Sequence, residues 1–497
     1  MFKETGLVIE EKSKQDKNVI FFNYKLFSSE RKLYMRFTMS TFSRISSSLH
    51  EMPNRRKIII SCCCLFSGFL IFFVFNIKSP ATLNYDEYHY IPSARQFIQM
   101  TDNQNHEHPP LAKELIAIGI VLAGDGPVGW RIMSTIFGAL TVIGLYLAAL
   151  ALFRNQLSAL FVAFMSGFNN LLYVQARIAM LDTFMVAFIV LALGLGLCAL
   201  FPLKTSPSDS HRSNHVRLLN ASGIMMGAAI ACKWFAIVPW VGIWALLFVY
   251  RFLSYWNISI GKEPIPTSLS TFYPLEQITC FKKWDFVRSW LLLPLITYYL
   301  TFLPFLFISP EENESTYSLT DILFAFQENM WNRQISLSAF HSFLSGWAEW
   351  PLMLRPIWYY FKMDPDRRWF QGVVFLGNPF VLWGGILALL YTGWDFFRTR
   401  SFSAFWILFS YGLFYFSWIV IPRKITFFYY YYPAALVFSF AWAYLLFRIS
   451  PKKISLWVHS FILTLTLGFF IHFFPLLGAI ATPHAELEGW LWLEGWF

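Results

Sequence analysis

Residues Asn84–Lys113 read NYDEYHYIPSARQFIQMTDNQNHEHPPLAK and separate two long apolar runs. In a chain with only 14% charged residues, this stretch gathers adjacent carboxylates (Asp86, Glu87), three histidines (His89, His106, His108) and the dipeptide Pro109-Pro110. Ionisable side chains held against hydrocarbon are costly, so such a cluster marks a candidate functional site. The flanking runs, Ile58–Ile77 and Val128–Phe153, are each long enough to cross a bilayer as a helix. Residues 78–127 then form a loop outside the membrane. Within it Tyr88–Met100 is expected as a short surface helix. Pro109-Pro110 opens another, Leu111–Leu122, because proline is tolerated in a first helical turn.

The same pattern extends along the chain. Its 497 residues are 56% hydrophobic and 20% aromatic, whereas a soluble domain carries roughly 25% charge. Recurring apolar runs predict an all-α polytopic membrane protein with about eleven transmembrane helices. Arg55-Arg56-Lys57 before the first run place the N-terminus in the cytoplasm, the loop at 78–127 outside and the C-terminus outside. The expected organisation is a basic cytoplasmic tail (1–57), a membrane domain (58–475) with a long outer loop at 309–371, and a short outer C-terminus (476–497). The tail lacks the short charged segment, apolar core and small-residue cleavage site of a signal peptide. The third span is expected at Leu157–Val174; the fifth, Leu218–Cys232, is short and rich in Gly and Ala, which suits close helix packing. The net charge of +10 comes from Lys and Arg in short loops, where they set orientation, so no nucleic-acid partner is expected. Six cysteines without CxxC spacing predict neither a metal site nor a disulfide framework, and no cofactor is expected.

A carboxylate within reach of a hydroxyl can remove its proton as the oxygen attacks a sugar carbon. Consecutive side chains do not share a face. Asp86 is therefore expected as the catalytic base and Glu87 as its support; the plainer reading makes both helix-start acids. Several basic residues lie on the same side of the membrane: Lys113, Arg131, Arg177, Lys233, Arg333, Arg355, Arg423 and Lys424. Arg at an outer boundary suits a lipid-borne phosphate, which it binds with paired hydrogen bonds and makes a better leaving group. Snorkelling to the interface is the alternative, and it is favoured for Lys362, Arg367 and Arg368. For Asp182, orienting Arg177 through a salt bridge and a direct role weigh evenly. His341 lies among aromatics, where packing outweighs catalysis. The run Phe427–Pro433 reads as an interfacial aromatic belt or, directly after Arg423-Lys424, as a sugar platform.

Taken in order, these pieces resemble the polyprenol/dolichol-phosphate-mannose protein O-mannosyltransferases. The matching features are the Asp86-Glu87 pair, HPPLAK, Arg131 opening the second span, RIAMLDT from Arg177, Lys233-Trp234, SGWAEWPLMLRPIWYY at Ser345–Tyr360, GNP at Gly377–Pro379 and RKITFFYYYYP at Arg423–Pro433. The resemblance implies a GT-C glycosyltransferase fold. It implies inverting transfer of mannose from a polyprenyl- or dolichyl-phosphate to Ser/Thr hydroxyls of exported proteins, on the non-cytoplasmic face. Asp86 maps to the supposed base and Glu87 to its neighbour. Arg131, Arg177, Lys233, Arg423 and Lys424 stand as donor-phosphate contacts, and His108, Asp182, His341 and Arg355 as supporting residues. Eukaryotic members insert a β-trefoil MIR domain where this chain has only Ser309–Gln371. The resemblance is therefore to bacterial members, with an inner membrane and a periplasm-facing site; an endoplasmic reticulum membrane with a lumen-facing site is the alternative. The expected partners are the lipid-linked sugar, the acceptor protein and membrane lipids, with a homo- or hetero-dimer compatible with the pattern.

Two other readings compete. The same machinery serves transferases that act on a lipid or cell-envelope glycan, such as the aminoarabinose-to-lipid-A enzymes. A transporter or flippase would show repeated halves and polar residues near the bilayer midplane, and neither is evident here.

Overall fold

The computed structural model describes residues 49, 53–102, 105–201, 209–259, 281–309, 315–336, 342–451 and 454–497. His341, and the expected tail at 1–57 apart from residues 49 and 53–57, lie outside the described residues.

Among the described residues the first bounded helix is α1 (Arg55–Val74), capped by the Asn54 side chain, which accepts from the Lys57 amide. Two short helices follow at one end of the bundle, α2 (Glu87–Gln99) and α3 (Leu111–Ala123), close to where they were expected. Next come α4 (Pro127–Phe153), α5 (Gln156–Gly167), α6 (Asn170–Gln175), α7 (Leu181–Leu200), α8 (Asp209–Cys232) and α9 (Ile237–Ser259). A tenth helical stretch, α10 (Lys283–Phe307), contains a π-helical turn at Arg288–Leu292. The long loop carries α11 (Phe326–Ser336) and two strands, β1 (Ile357–Met363) and β2 (Trp369–Phe375). Then follow α12 (Pro379–Thr399), α13 (Phe402–Val420), α14 (Tyr432–Ile449), α15 (Ser455–Leu477) and β3 (Thr482–Pro483).

Among the described residues eight helices are long and apolar enough to cross a membrane: α1, α4, α7, α10, α12, α13, α15 and the run Phe428–Ile449 that contains α14. The other three expected spans are occupied by α5–α6, α8 and α9. The expected single helix at 157–174 is corrected: it breaks after Gly167. There the Asn169 side chain accepts from the Leu171 amide and starts α6 as a separate helix.

α4 and α7 form the centre. Both are apolar all round and largely buried, the pattern of a helix surrounded by protein. Their close approach depends on glycine: a Cβ at Gly194 would lie 2.7 Å from the Gly144 carbonyl oxygen. Lipid tails are as apolar as leucine, so contact at backbone distance holds such helices together better than burial does.

The all-α expectation holds for the membrane domain, to which one small sheet is added. β1, β2 and β3 form an antiparallel sheet in that order. Of the residues read from sequence as snorkelling to the interface, Lys362 lies in β1 and Arg367 and Arg368 in the β1–β2 connection, where the Asp364 amide donates to Trp369 O at 2.9 Å and Arg367 adopts positive φ. The C-terminal residues pack on this sheet. The Trp358 indole donates to Trp496 O, and the Trp496 indole donates to Met353 O, each at 2.7 Å.

Candidate active site

The site is assembled where the loop before α2 meets the residues before α7, the start of α9, β1 and the segment before α14. Tyr85, at positive φ, turns the chain into α2, so that Asp86 and Glu87 point to different environments.

Glu87 is fully buried and faces inward. Its carboxylate accepts from Arg131 Nε and Nη2, each at 2.8 Å, from the Ala179 amide at 3.0 Å and from the Asn84 amide at 3.1 Å. Arg131 is fully buried as well, and it also donates to the carbonyls of Ile77, Pro80 and Thr82. These contacts occupy all five guanidinium N–H groups. Arg131 was expected at the donor phosphate; its place here is structural, tying the loop that carries Asp86 to α4.

Asp86 faces the other way and is half-buried. Among the described residues its side-chain hydrogen bond comes from the Tyr90 hydroxyl, at 3.2 Å on Oδ2. Burial pushes its carboxyl above the ordinary range. Asp182 adds to that shift, while Lys233, His89 and the Tyr90 hydrogen bond oppose it.

Asp182 sits in the first turn of α7, where negative charge is favoured. Of the two evenly weighed roles for Asp182, the salt bridge to Arg177 does not form. Lys233 Nζ instead donates to both Asp182 oxygens, at 2.8 and 2.9 Å, and lies 5.1 Å from the ring centres of Tyr429 and Tyr430. Arg177 turns away to Asn76 O and the Tyr173 ring, and burial lowers its proton affinity.

Next to Lys233 a cavity of about 260 Å³ has a polar end formed by His108, Lys233, Gln334 and Arg423, and an apolar side that includes Trp234, Ile335 and Trp418. Arg423 donates to Gln334 Oε1 at 2.5 Å and to Ile425 O at 3.1 Å, and its guanidinium lies 5.1 Å from the Tyr430 ring centre. Tyr430 stacks on Trp418 at 4.4 Å, and Trp418 on Phe235 at 5.0 Å. Burial, together with Lys233, Arg423 and Lys113, holds the His108 imidazole well below its usual proton affinity. Lys113 anchors this loop from below: its buried ammonium donates to Asn105 O and His108 O, at 2.6 and 2.9 Å, and burial lowers its pKa to about 7.

His108, Lys233 and Arg423 thus line the recess, and Arg131 and Arg177 do not; Lys233 joins it to the two acids, pairing with Asp182 and lying within electrostatic reach of Asp86. Lys424 is exposed. Arg355 lies at the periphery, 3.6 Å from Glu349. Tyr429–Tyr432 are buried, so the aromatic run is no lipid-facing belt. Sequence reading missed Tyr85, Tyr359 and Gln334. Tyr85 stacks on Tyr359 at 4.6 Å, and Tyr359 is held by the Gln175 amide at 3.1 Å; together the two rings wall the recess beside Asp86. Tyr359 belongs to β1, and the unrecognised strand hid it. Among the described residues no group of three His, Cys, Asp or Glu side chains is placed to hold a metal ion.

Residues 126–307 match the family described as dolichyl-phosphate-mannose-protein mannosyltransferase, and residues 320–496 match the C-terminal four-transmembrane region of protein O-mannosyltransferase. A polyprenol-phosphate-mannose–protein mannosyltransferase of Corynebacterium glutamicum is 25% identical over 488 residues, covering 83% of this chain and 88% of the relative. One from Mycobacterium tuberculosis is 23% identical over 414 residues, covering 71% and 74%. In fold, the chain superposes on a subunit of the Saccharomyces cerevisiae protein O-mannosyltransferase complex bound to the sugar donor. That match has a TM-score of 0.70 at 15% identity and covers 91% of this chain and 94% of that one.

Proposed function

This chain is a multi-pass membrane protein of the dolichyl-phosphate-mannose-protein mannosyltransferase family, and from that premise we propose that it moves mannose from a polyprenyl-phosphate carrier to Ser or Thr hydroxyls of exported proteins. The observation that carries the reading is the juxtaposition of a half-buried carboxylate, Asp86, with the cationic end of a partly apolar cavity. Asp86 takes the proton of the acceptor hydroxyl as its oxygen attacks the sugar carbon. The bond from that carbon to the phosphate oxygen breaks, and its electron pair leaves with the lipid phosphate. Lys233 and Arg423 stabilise the charge growing on that phosphate. One face is attacked while the other is vacated, so the configuration inverts. The apolar side of the cavity suits the first isoprene units of the carrier.

A periplasm-facing site in a bacterial inner membrane is the placement we favour, and the bacterial relatives support it. The test is transfer of labelled mannose from polyprenyl-phosphate-mannose to a Ser/Thr-rich peptide by protein purified in detergent, with Asp86→Asn beside it. Label in the peptide with the wild type alone is the expected result. Equal label with both proteins would overturn Asp86 as the base; lipid-linked or glycan-linked label would overturn the protein acceptor.

A further inference from the structure

Gln334 lies on α11, in the long loop, far in sequence from every other polar residue of the cavity. Its amide is used at every position that matters. Arg423 can only donate, so the amide oxygen must face it, and it does at 2.5 Å. The amide nitrogen therefore points the other way, where it donates to Glu107 O at 2.6 Å and lies 3.4 Å from His108 Nδ1. An amide nitrogen carries two hydrogens, enough for both contacts. With Nδ1 accepting from Gln334, the proton of a neutral imidazole sits on Nε2. That nitrogen makes no hydrogen bond to a described residue, and His108 lines the cavity that Lys233 and Arg423 share.

We infer that Gln334 is a positioning residue for the lipid-phosphate end of the site, holding Arg423 and the Nε2–H tautomer of His108 so that both present donors to the anion that Lys233 also faces. The inference rests on the reading of this cavity as the carrier site. Lys233, Arg423 and Lys113, the cations around His108, favour the neutral ring that such a tautomer requires. Glu107 contributes through its backbone carbonyl, while its carboxylate pairs outward with Arg333 at 2.9 Å. That outer pair is half-exposed and adds little to stability. The Gln334 amide is thus the polar link from α11 that reaches both Arg423 and His108.

Two variants separate hydrogen bonding from packing. Gln334→Met keeps the length of the side chain and loses all three contacts. Gln334→Glu keeps an acceptor for Arg423, loses both donors, ion-pairs with the guanidinium that should meet phosphate, and draws the imidazole proton to Nδ1. Transfer kinetics are read with donor and acceptor varied separately, and dolichyl phosphate serves as a competitive probe that needs neither sugar nor acceptor. Gln334→Met is expected to raise the donor KM and the dolichyl-phosphate inhibition constant together by about tenfold, the worth of one hydrogen bond to a charged group. Gln334→Glu is expected to raise both further. For both variants kcat should fall as the donor KM rises, because Arg423 also meets the charge that grows on the leaving phosphate, while the acceptor KM should stay within about twofold. An unchanged donor KM and dolichyl-phosphate inhibition constant in Gln334→Met, or a rise in the acceptor KM alone, would overturn the inference.

Thermal stabilisation by dolichyl phosphate keeps this result apart from the mannose reading. A wild type that transfers no mannose, yet is stabilised by dolichyl phosphate only when Gln334 is present, sinks the sugar assignment and upholds the positioning role. A wild type that transfers mannose, beside a Gln334→Met protein stabilised equally by the probe, does the reverse.

Discussion

Glu87 and Arg131 meet in a bidentate pair with no exposed surface on either side chain, 44 residues apart in sequence. Removing one member of such a pair strands a charge with no water to take its place. Glu87→Gln or Arg131→Met should therefore destabilise the protein by about 3–5 kcal/mol. The check is a melting curve in detergent. Lost transfer with an unchanged melting temperature would show that the pair acts in the reaction instead.

Asp86→Asn should lower transfer by a factor of about 10²–10⁴, the usual worth of a positioned base, with the melting temperature unchanged. Its carboxyl is held above the ordinary range by burial first and by Asp182, against Lys233, His89 and Tyr90. The base works deprotonated. Transfer should thus fall as pH drops through that raised value, and the acid limb of kcat/KM should lie above the ordinary 3.8. Removing a positive neighbour favours the protonated form, so Lys233→Gln should move the limb to still higher pH. A limb that stays put in this variant would refute the coupling.

Lys233 has two separable duties, and a double mutant divides them. Lys233→Met leaves Asp182 charged and buried, at a cost of about 3–5 kcal/mol. Adding Asp182→Asn removes that charge and should recover most of the stability. Transfer should stay low in the double variant, because the cation facing the phosphate is still missing. Recovery of both together would reduce Lys233 to a partner for Asp182.

Transfer should proceed in the presence of a strong chelator, with Lys233 and Arg423 carrying the charge that a divalent ion carries elsewhere. Rates in EDTA and in excess Mg²⁺ or Mn²⁺ should agree. A strict ion requirement would place a ligand set in this chain that the present assignment lacks.

The long apolar helices were legible because a membrane span needs about 20 apolar residues in a row, and α1, α4 and α7 show them plainly. The sheet was not. IWYYFKM and WFQGVVF are too short for spans, and in an aromatic-rich chain they blend with interfacial sequence. Of the acids singled out, Asp86 and Asp182 lie near Lys233, whereas Glu87 turns inward to Arg131. Their cationic partners were harder, because adjacency in sequence says little about which way an arginine turns. Arg131 and Arg423 both border spans, yet backbone carbonyls claim most of the first and a cavity receives the second. Gln334 carried no sequence signal at all; a glutamine in a surface helix is ordinary until its three partners arrive from distant segments.

The antiparallel sheet also constrains how the protein is made. β2 pairs with β3, and the Trp358 indole reaches Trp496 across 138 residues of chain. Tyr359, beside that indole, is one wall of the recess at Asp86. Ribosomes deliver the N-terminal part first, at about 5–20 residues per second, so Asp86 emerges long before the residues that complete its surroundings. Until α15 has been inserted and the residues beyond it have folded back onto the sheet, a nascent chain holds its base in an unfinished site. Completion of the site is therefore tied to the integration of α15 and the folding back of the residues after it.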